Sequence, residues 1–333
     1  MSFKRLDPED ITISAESIVA PAWSGQQSTL TSFYTSSQVD LTSGLYYYDI
    51  YQTASSAVGA EIQFSIAYGN SNGSGSAFLT SGVVGKSPSS IIYGQYRTLI
   101  NGDENTDFTF GNITPDSIFV IAVDRSRYKE KLLPGSFNLT LTSGSRTLKL
   151  TDNSGTSTTV SYLDAGRVYD IVSGSNGTPY IGTGFHPTSG SYGKFLPDVG
   201  VILLNGAALR DNSVNGLNLN VSESFDSNGR NLSTFYNALV AGNNFTLRSE
   251  ETVTSNFIFV RVRNSELNYS TNPSNITGSG ELLWSIMVNT PQSYMTTVGL
   301  YNDNNDLLGV AKLSRPLLKD FTKEALLRIK LDY

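Results

Sequence analysis

Few side chains in this sequence could do acid–base or nucleophilic chemistry. The 333 residues contain no cysteine and a single histidine, His186, which stands in the run Gly-Phe-His-Pro. Without thiols and with one imidazole, cysteine nucleophiles and zinc sites built from Cys or from several His are excluded. A Ser–His triad would have to use His186, but the flanking glycine and proline are typical of a loop. The sequence therefore predicts a loop histidine rather than a catalytic base.

Carboxylates are the other groups that could carry chemistry. Glu250 and Glu251 are adjacent, and consecutive side chains of a strand point to opposite faces, so they are poorly placed to act as a glycosidase pair. The acidic runs at 103–107 and 303–306 could bind calcium, but neither matches the twelve-residue loop that ends in Glu. Asp and Asn are also ordinary turn residues. We predict no catalytic, metal or cofactor site and leave calcium at either loop open.

Basic side chains cluster once in the sequence. The basic and aromatic members of the run are Arg125, Arg127, Tyr128, Lys129 and Lys131. One interpretation is a solvated strand end, and the other is a surface that pairs with acidic groups of a partner. A second pair, Arg261 and Arg263, follows an apolar strand in a similar way. Both pairs of arginines are candidate interface residues.

Residues 1–40 are predicted to form an extended N-terminal arm, because they show little sustained periodicity and contain Pro-Ala-Trp-Ser-Gly. A chain terminus becomes ordered when it docks onto something. Trp23 is therefore either a core plug or an anchor on a partner, and Phe3 is a second candidate anchor. The complete set of predicted interface residues is Phe3, Trp23, Arg125, Arg127, Tyr128, Arg261 and Arg263.

Net charge and hydropathy exclude several classes of partner. The sequence has 23 Lys and Arg against 29 Asp and Glu, a net charge of −6. Binding to nucleic acid or to an anionic membrane needs clustered cations, so we expect neither partner. No segment approaches the roughly 20 apolar residues of a membrane helix, and the N-terminus lacks the apolar stretch of a secretory signal. We expect synthesis in the cytoplasm.

The elements that position these residues are mostly strands. Apolar and polar residues alternate at 62–68, and a continuous apolar run at 118–123 is typical of a strand buried on both faces. One amphipathic helix is predicted at about 231–241, where apolar residues recur at helical spacing. We expect a mainly β protein with a two-lobed antiparallel β-sandwich-like architecture, this one short helix and the extended N-terminal arm.

Domain organisation is predicted from changes in this pattern. The arm over 1–40 is followed by the first part of a β domain over 41–142. A smaller β lobe then covers 143–220 and includes a long polar loop at 174–193. The helix and further strands over 221–333 complete the main β domain. Whether 143–220 is a lobe inserted between strands of one sheet is left open.

Five stretches carry a resemblance to a known family. They are YKEKLLPGSF at 128–137, GKFLPDVG at 193–200, RNSELNYS at 263–270, VGLYND at 298–303, and the closing run from LGVAKLSRP at 308–316 to residue 331. These stretches resemble a family of virion structural proteins of large contractile-tailed bacteriophages, including those of marine cyanobacteria. The resemblance covers most of the chain from about residue 45 onward and is thinnest in the arm.

The resemblance implies a non-enzymatic subunit that works by oligomeric assembly with other phage virion proteins, in the tail or baseplate. A subunit of this kind is synthesised in the host cytoplasm and is present in multiple copies in the virion. One alternative is a head-associated decoration or fibre protein, because such modules share the same β architecture. A second alternative is a glycan-binding adhesin that uses exposed Tyr and Trp and polar loops such as 174–193.

Overall fold

A computed structural model of the chain describes residues 6–35, 46–75, 87–221, 230–270 and 272–332. Phe3 therefore lies outside the described residues. The strands are β1 Ile11–Pro21, β2 Thr29–Leu30, β3 Tyr34–Thr35, β4 Tyr47–Tyr51, β5 Ile62–Asn70, β6 Ser117–Val123, β7 Lys131–Leu132, β8 Asn138–Ser143, β9 Arg146–Asp152, β10 Ser161–Leu163, β11 Gly166–Ser175, β12 Thr178–Pro179, β13 Gly193–Leu196, β14 Val201–Asn205, β15 Asn244–Thr246, β16 Arg248–Val262, β17 Gln292–Tyr301, β18 Leu307–Asp320 and β19 Ala325–Asp332. The helices are α1 Pro88–Asn101, α2 Gly206–Arg210, α3 Arg230–Gly242 and α4 Ile286–Asn289, with 3-10 turns at Pro8–Asp10, Ser24–Gln26 and Arg125–Arg127. The fold is mainly β and antiparallel, as predicted.

The chain divides into two compact units, which we call the large and the small unit. The large unit is Ile18–Glu251, and the small unit combines Met1–Ser17 with Thr252–Tyr333. The boundaries predicted at 40, 142 and 220 do not coincide with this division. The boundaries differ because strands from distant parts of the sequence pair within one sheet.

The large unit is built on one extended antiparallel sheet with the strand order β2-β15-β8-β9-β11-β13-β14-β6-β5-β4-β3. Strands β9, β11, β13 and β14 fall in the predicted smaller lobe, yet β14 pairs directly with β6 and the sheet continues without a break. Residues 143–220 therefore do not form a lobe of their own. Their strands belong to the same sheet as β5 and β6.

The central strand β6 is buried on both faces, as its apolar run predicted. Phe119 and Ile121 belong to one apolar core cluster, while Ile118 and Val120 belong to a second. Alternate residues of a strand point to opposite faces, so the two clusters fill the two sides of the sheet. Helix α3 covers the first side and helix α1 the second.

Helix α3 confirms the predicted helix at about 231–241. Its Phe235 stacks on Phe119 of β6 with ring centroids 4.6 Å apart. Helix α1, of 14 residues, was not predicted from the sequence. Its signals are weak: Pro88 at the first position, and Gly102 with φ 66° after the last. Serines and Gly94 interrupt its apolar pattern, and its β-branched isoleucines have a lower helix propensity.

The small unit contains paired strands and little core. Strands β16 and β19 pair along eight residues of each, and β1 pairs with β16 on its other side. Strands β17 and β18 form a hairpin, and residues Asn302 to Asp306 connect them. No residue that the structure describes in this unit belongs to either of the two core clusters.

Candidate functional site

Trp23 is a core residue and not an exposed anchor. Its side chain is 2% exposed, its ring lies 4.9 Å from that of Phe245, and its Nε1 donates to the carbonyl oxygen of Phe245 at 3.0 Å. A buried indole with its one donor satisfied is a packing element. The core-plug interpretation is therefore confirmed, and the partner-anchor interpretation of Trp23 is wrong.

Arg125 and Tyr128 form a self-contained turn. The guanidinium of Arg125 donates to the carbonyl oxygens of Tyr128 and Lys129, each at 2.5 Å, and lies 4.6 Å from the centroid of the Tyr128 ring. The Tyr128 ring is buried, and burial raises the pKa of its hydroxyl. The two predicted interface residues are thus brought together, but they stabilise their own loop.

The remaining cations of the basic run have carboxylate partners within the large unit. Arg127 pairs with Glu61 at 2.8 Å, and Lys129 pairs with Glu251 at 2.7 Å. Lys131 lies 3.7 Å from Glu250. The basic run is thereby largely neutralised by the chain itself, which weakens its interpretation as a surface for an acidic partner.

Arg261 and Arg263 belong to the small unit. Arg261 pairs with Glu324 at 2.8 Å, and this contact lowers the pKa of the Glu324 carboxyl. The backbone N–H of Arg263 donates to Glu266 at 2.8 Å, and its side chain is exposed. Arg125 and Arg127, by contrast, belong to the large unit.

The large unit has a shallow cleft of about 290 Å³, and two of the predicted interface residues line it. Trp23 and Arg127 both line it, together with Glu61 and Ser126. The Arg127–Glu61 ion pair forms part of its wall. Because the cations and acceptors in this wall already have partners, the cleft offers few free groups to a ligand.

His186 is held as a structural residue. The ring is 2% exposed, and its Nδ1 accepts the backbone N–H of Ser189 at 3.1 Å. Since Nδ1 accepts, the proton of the neutral ring is on Nε2, which lies 3.3 Å from Ser213 Oγ and 3.8 Å from Asp211. Burial lowers the pKa of His186, and Asp211 offsets part of this effect.

This tautomer does not suit a triad. A general base must accept the hydroxyl proton of the serine through the nitrogen that faces it. In this chain the nitrogen facing Ser213 carries the proton, so the ring donates to the hydroxyl instead. The three residue types of a Ser–His–Asp triad are therefore present, but the histidine does not have the protonation state that a general base needs.

The carboxylates considered as ligands or acids are used locally. Asp103 accepts the backbone N–H of Asn105 at 2.9 Å and the Thr106 hydroxyl at 2.5 Å, and the Asp306 carboxylate accepts the side-chain N–H of Asn302 at 2.9 Å. These are turn contacts. Within the described ranges, no group of three or more His, Cys, Asp and Glu side chains is arranged to hold a metal ion.

Exposed apolar side chains are the feature that sequence reasoning missed. Among the described residues, sixteen of the thirty large hydrophobic side chains that are exposed lie in the small unit, which is under a third of the chain. Those of the hairpin are Tyr294, Tyr301, Leu307, Leu308, Val310 and Leu317. Trp284 is 61% exposed. The composition alone could not reveal this, because the same residue types fill the core of the large unit.

Comparisons with family models, with curated proteins and with solved structures gave no match to this chain. In the described part of the chain, the helices are too short or too polar to cross a bilayer.

Proposed function

We propose that this chain is a non-enzymatic structural subunit of a tailed-bacteriophage virion, in the tail or baseplate. It works by oligomeric assembly with other virion proteins and has no catalytic or cofactor site. The assignment to a tailed-phage virion is supported by the stretches that resemble virion structural proteins, at 128–137, 193–200, 263–270, 298–303 and 308–316. The surface of the small unit supports assembly.

The observation that carries the proposal is the poor burial of the small unit. Among the described residues of this unit, the buried hydrophobic ones are Ile258, Val262, Ala325, Leu327 and Ile329. Its exposed large hydrophobic side chains outnumber them about three to one. Large exposed apolar patches mark surfaces that other proteins cover.

The hairpin of β17 and β18 strengthens the same point. It is a two-stranded sheet with apolar side chains that remain exposed along both strands. An isolated two-stranded hairpin is marginally stable in water and needs further packing. A virion subunit would obtain that packing from neighbouring proteins once it assembles.

A non-enzymatic role is supported by the state of the reactive groups. The single histidine carries its proton on the nitrogen that faces Ser213, and Glu250 and Glu251 pair with Lys131 and Lys129. The histidine and the two glutamates therefore stabilise the fold. This arrangement favours a building block over a hydrolase.

Gold-labelled antibodies against the purified chain, applied to intact phage particles, test the proposal. Label at the tail end is the expected result. Label over the head would replace the tail assignment with the decoration-protein alternative. Absence of label from particles, together with binding on a glycan array, would contradict the proposal and favour the adhesin.

A further inference from the structure

We propose that strand β1 of one copy of this chain pairs with strand β19 of a second copy, so that the sheet β1–β16–β19 continues from copy to copy. This inference rests on the proposed structural function and names the surface and the partner that would serve it. It concerns residues 11–17 and 325–332, which belong to the small unit.

Both strands are edges of their sheet. The strand order is β1-β16-β19, so among the described residues β1 and β19 each pair with β16 on one side only. The outer edge of each strand therefore presents backbone N–H and C=O groups that another strand can pair with. Residues 11–17 of β1 include one charged side chain, Glu16, and no proline, so this edge lacks the usual protection against added strands.

Apolar side chains flank both edges on the same face of the sheet. Glu16 and Lys330 lie 3.8 Å apart and so share one face. Alternation then places Ile11 and Ile13 of β1 on the opposite face, with Ile329 and Leu331 of β19. Ile329 is buried there, whereas Ile13 is 67% and Leu331 45% exposed. Pairing of β1 with β19 of another copy would cover both exposed side chains.

Charge selects which edge meets which. The acidic side chains before β1 are Asp7, Glu9 and Asp10. The exposed cation Arg328 of β19 lies over the Phe257 ring at 4.1 Å. The other charged groups of the two edges already have partners in the chain: Lys330 lies 3.8 Å from Glu16 and 3.2 Å from Asp332, and Glu324 pairs with Arg261.

Pairing of either edge with its own copy would bring like charges together. Pairing of β1 with β19 instead brings the acidic residues before β1 against Arg328. Opposite charges across an interface favour association, and like charges suppress it. A contact between two different surfaces of identical chains is head-to-tail, and it generates a ring if the rotation closes or a filament if it does not.

Charge reversal of each edge in the full-length protein tests this inference. The first variant is Asp7→Lys with Glu9→Lys, which reverses the net charge before β1, and the second is Arg328→Glu. Sedimentation analysis over a concentration series measures self-association, and circular dichroism checks that each variant is folded. The matched controls are Glu104→Lys and Lys312→Glu, exposed positions outside both edges.

We expect the wild type and both controls to self-associate and each edge variant alone to do so at least about tenfold more weakly. A mixture of the two variants should regain assembly, because each basic edge then meets an acidic one. The chain that carries all three substitutions should also regain it.

Three results would overturn the inference. They are a wild type that stays monomeric over the whole series, edge variants that associate like the wild type, and a mixture that associates no better than its components. Particle labelling decides the proposed function independently. Labelled tails together with a monomeric wild type would refute the β1–β19 contact and leave the proposed function standing.

Discussion

The indole nitrogen of Trp23 donates a hydrogen bond to the carbonyl oxygen of Phe245 at 3.0 Å, which joins two residues 222 positions apart in the sequence. Phe64 completes the cluster, with its ring centroid 5.7 Å from Trp23 and 5.1 Å from Phe245. The segment after β1 is thereby fixed to the core of the large unit. What looked like a free arm is in part a structural element.

Replacement Trp23→Ala should lower the free energy of unfolding by about 3–5 kcal/mol, because it leaves a large cavity and an unpaired carbonyl. Urea unfolding of the full chain measures this. The only other tryptophan, Trp284, is 61% exposed, so Trp284→Ala should cost less than about 1 kcal/mol. Equal losses for the two variants would contradict the assignment of Trp23 to the core.

Lys319 should stabilise the loop before β17. Its side chain is fully buried, and its Nζ donates to Asn268 Oδ1 at 2.7 Å and to the carbonyl oxygens of Asn264 and Asp320, each at 2.9 Å. Lys319→Met would leave three acceptors without their donor and should cost about 1–3 kcal/mol. Hydrogen exchange of residues 264–268 measures the local loss of protection.

Lys312→Met is the matched control for this replacement, since Lys312 is exposed on the same strand. We expect exchange of residues 264–268 to be unchanged in that variant. Faster exchange in both variants would indicate a general effect of lost charge and would contradict a specific role of Lys319.

Asp198 should stabilise the large unit at neutral pH and lose that effect in acid. Partial burial alone would raise the pKa of its carboxyl, but hydrogen bonds from the side chain and backbone of Arg167 outweigh burial and lower it. A carboxyl with a lowered folded-state pKa stabilises above its unfolded pKa and loses this contribution as the pH falls through the folded value.

The stability difference between wild type and Asp198→Asn should therefore be about 1–2 kcal/mol at neutral pH, after reduction for solvent screening, and should shrink below about pH 4. Urea unfolding across a pH series measures it. The double variant with Arg167→Met should lose little more than either single variant. Full additivity of the two losses would contradict a direct ion pair.

Asp152 should give the opposite pH dependence. Its carboxyl is fully buried, and burial raises its pKa even though it accepts backbone N–H groups from Gly135 at 2.9 Å and Ser154 at 3.0 Å. The folded state then holds the proton more tightly than the unfolded state. Stability relative to Asp152→Asn should fall as the pH rises from the unfolded pKa through the raised folded value.

Carbon-13 NMR of the carboxyl, together with urea unfolding at several pH values, checks this prediction. Asp303→Asn, in the exposed hairpin loop, is the control for a general acid-to-amide change. A titration of Asp152 below the ordinary range of an aspartate would contradict it.

Local pattern was enough to predict much of the fold. Period-two alternation predicted β5, the apolar run predicted the doubly buried β6, and helical spacing predicted α3. These signals work because each depends on the direction of neighbouring side chains, which the backbone geometry sets within a few residues. The pattern did not predict helix α1, because its buried positions are only partly apolar: Pro88, Ser89, Tyr93 and Ile100.

The candidate site could be predicted only as a set of residue types. Arg127 and Glu61 are 66 positions apart, and Lys129 and Glu251 are 122 apart. No local pattern connects such pairs, so the basic run could equally have faced a partner. The same holds for His186, whose tautomer depends on the backbone of Ser189 and whose hydroxyl neighbour is Ser213.

Composition and periodicity by themselves determined that this protein is acidic, free of thiols and mainly antiparallel β with one clear amphipathic helix. Only the tertiary structure decided that Trp23 is core, that the cations of the basic run are paired within the chain, and that sixteen large apolar side chains in the described part of the small unit are exposed. The reason is physical: periodicity states which face of a strand is apolar, but long-range pairing decides whether anything covers that face.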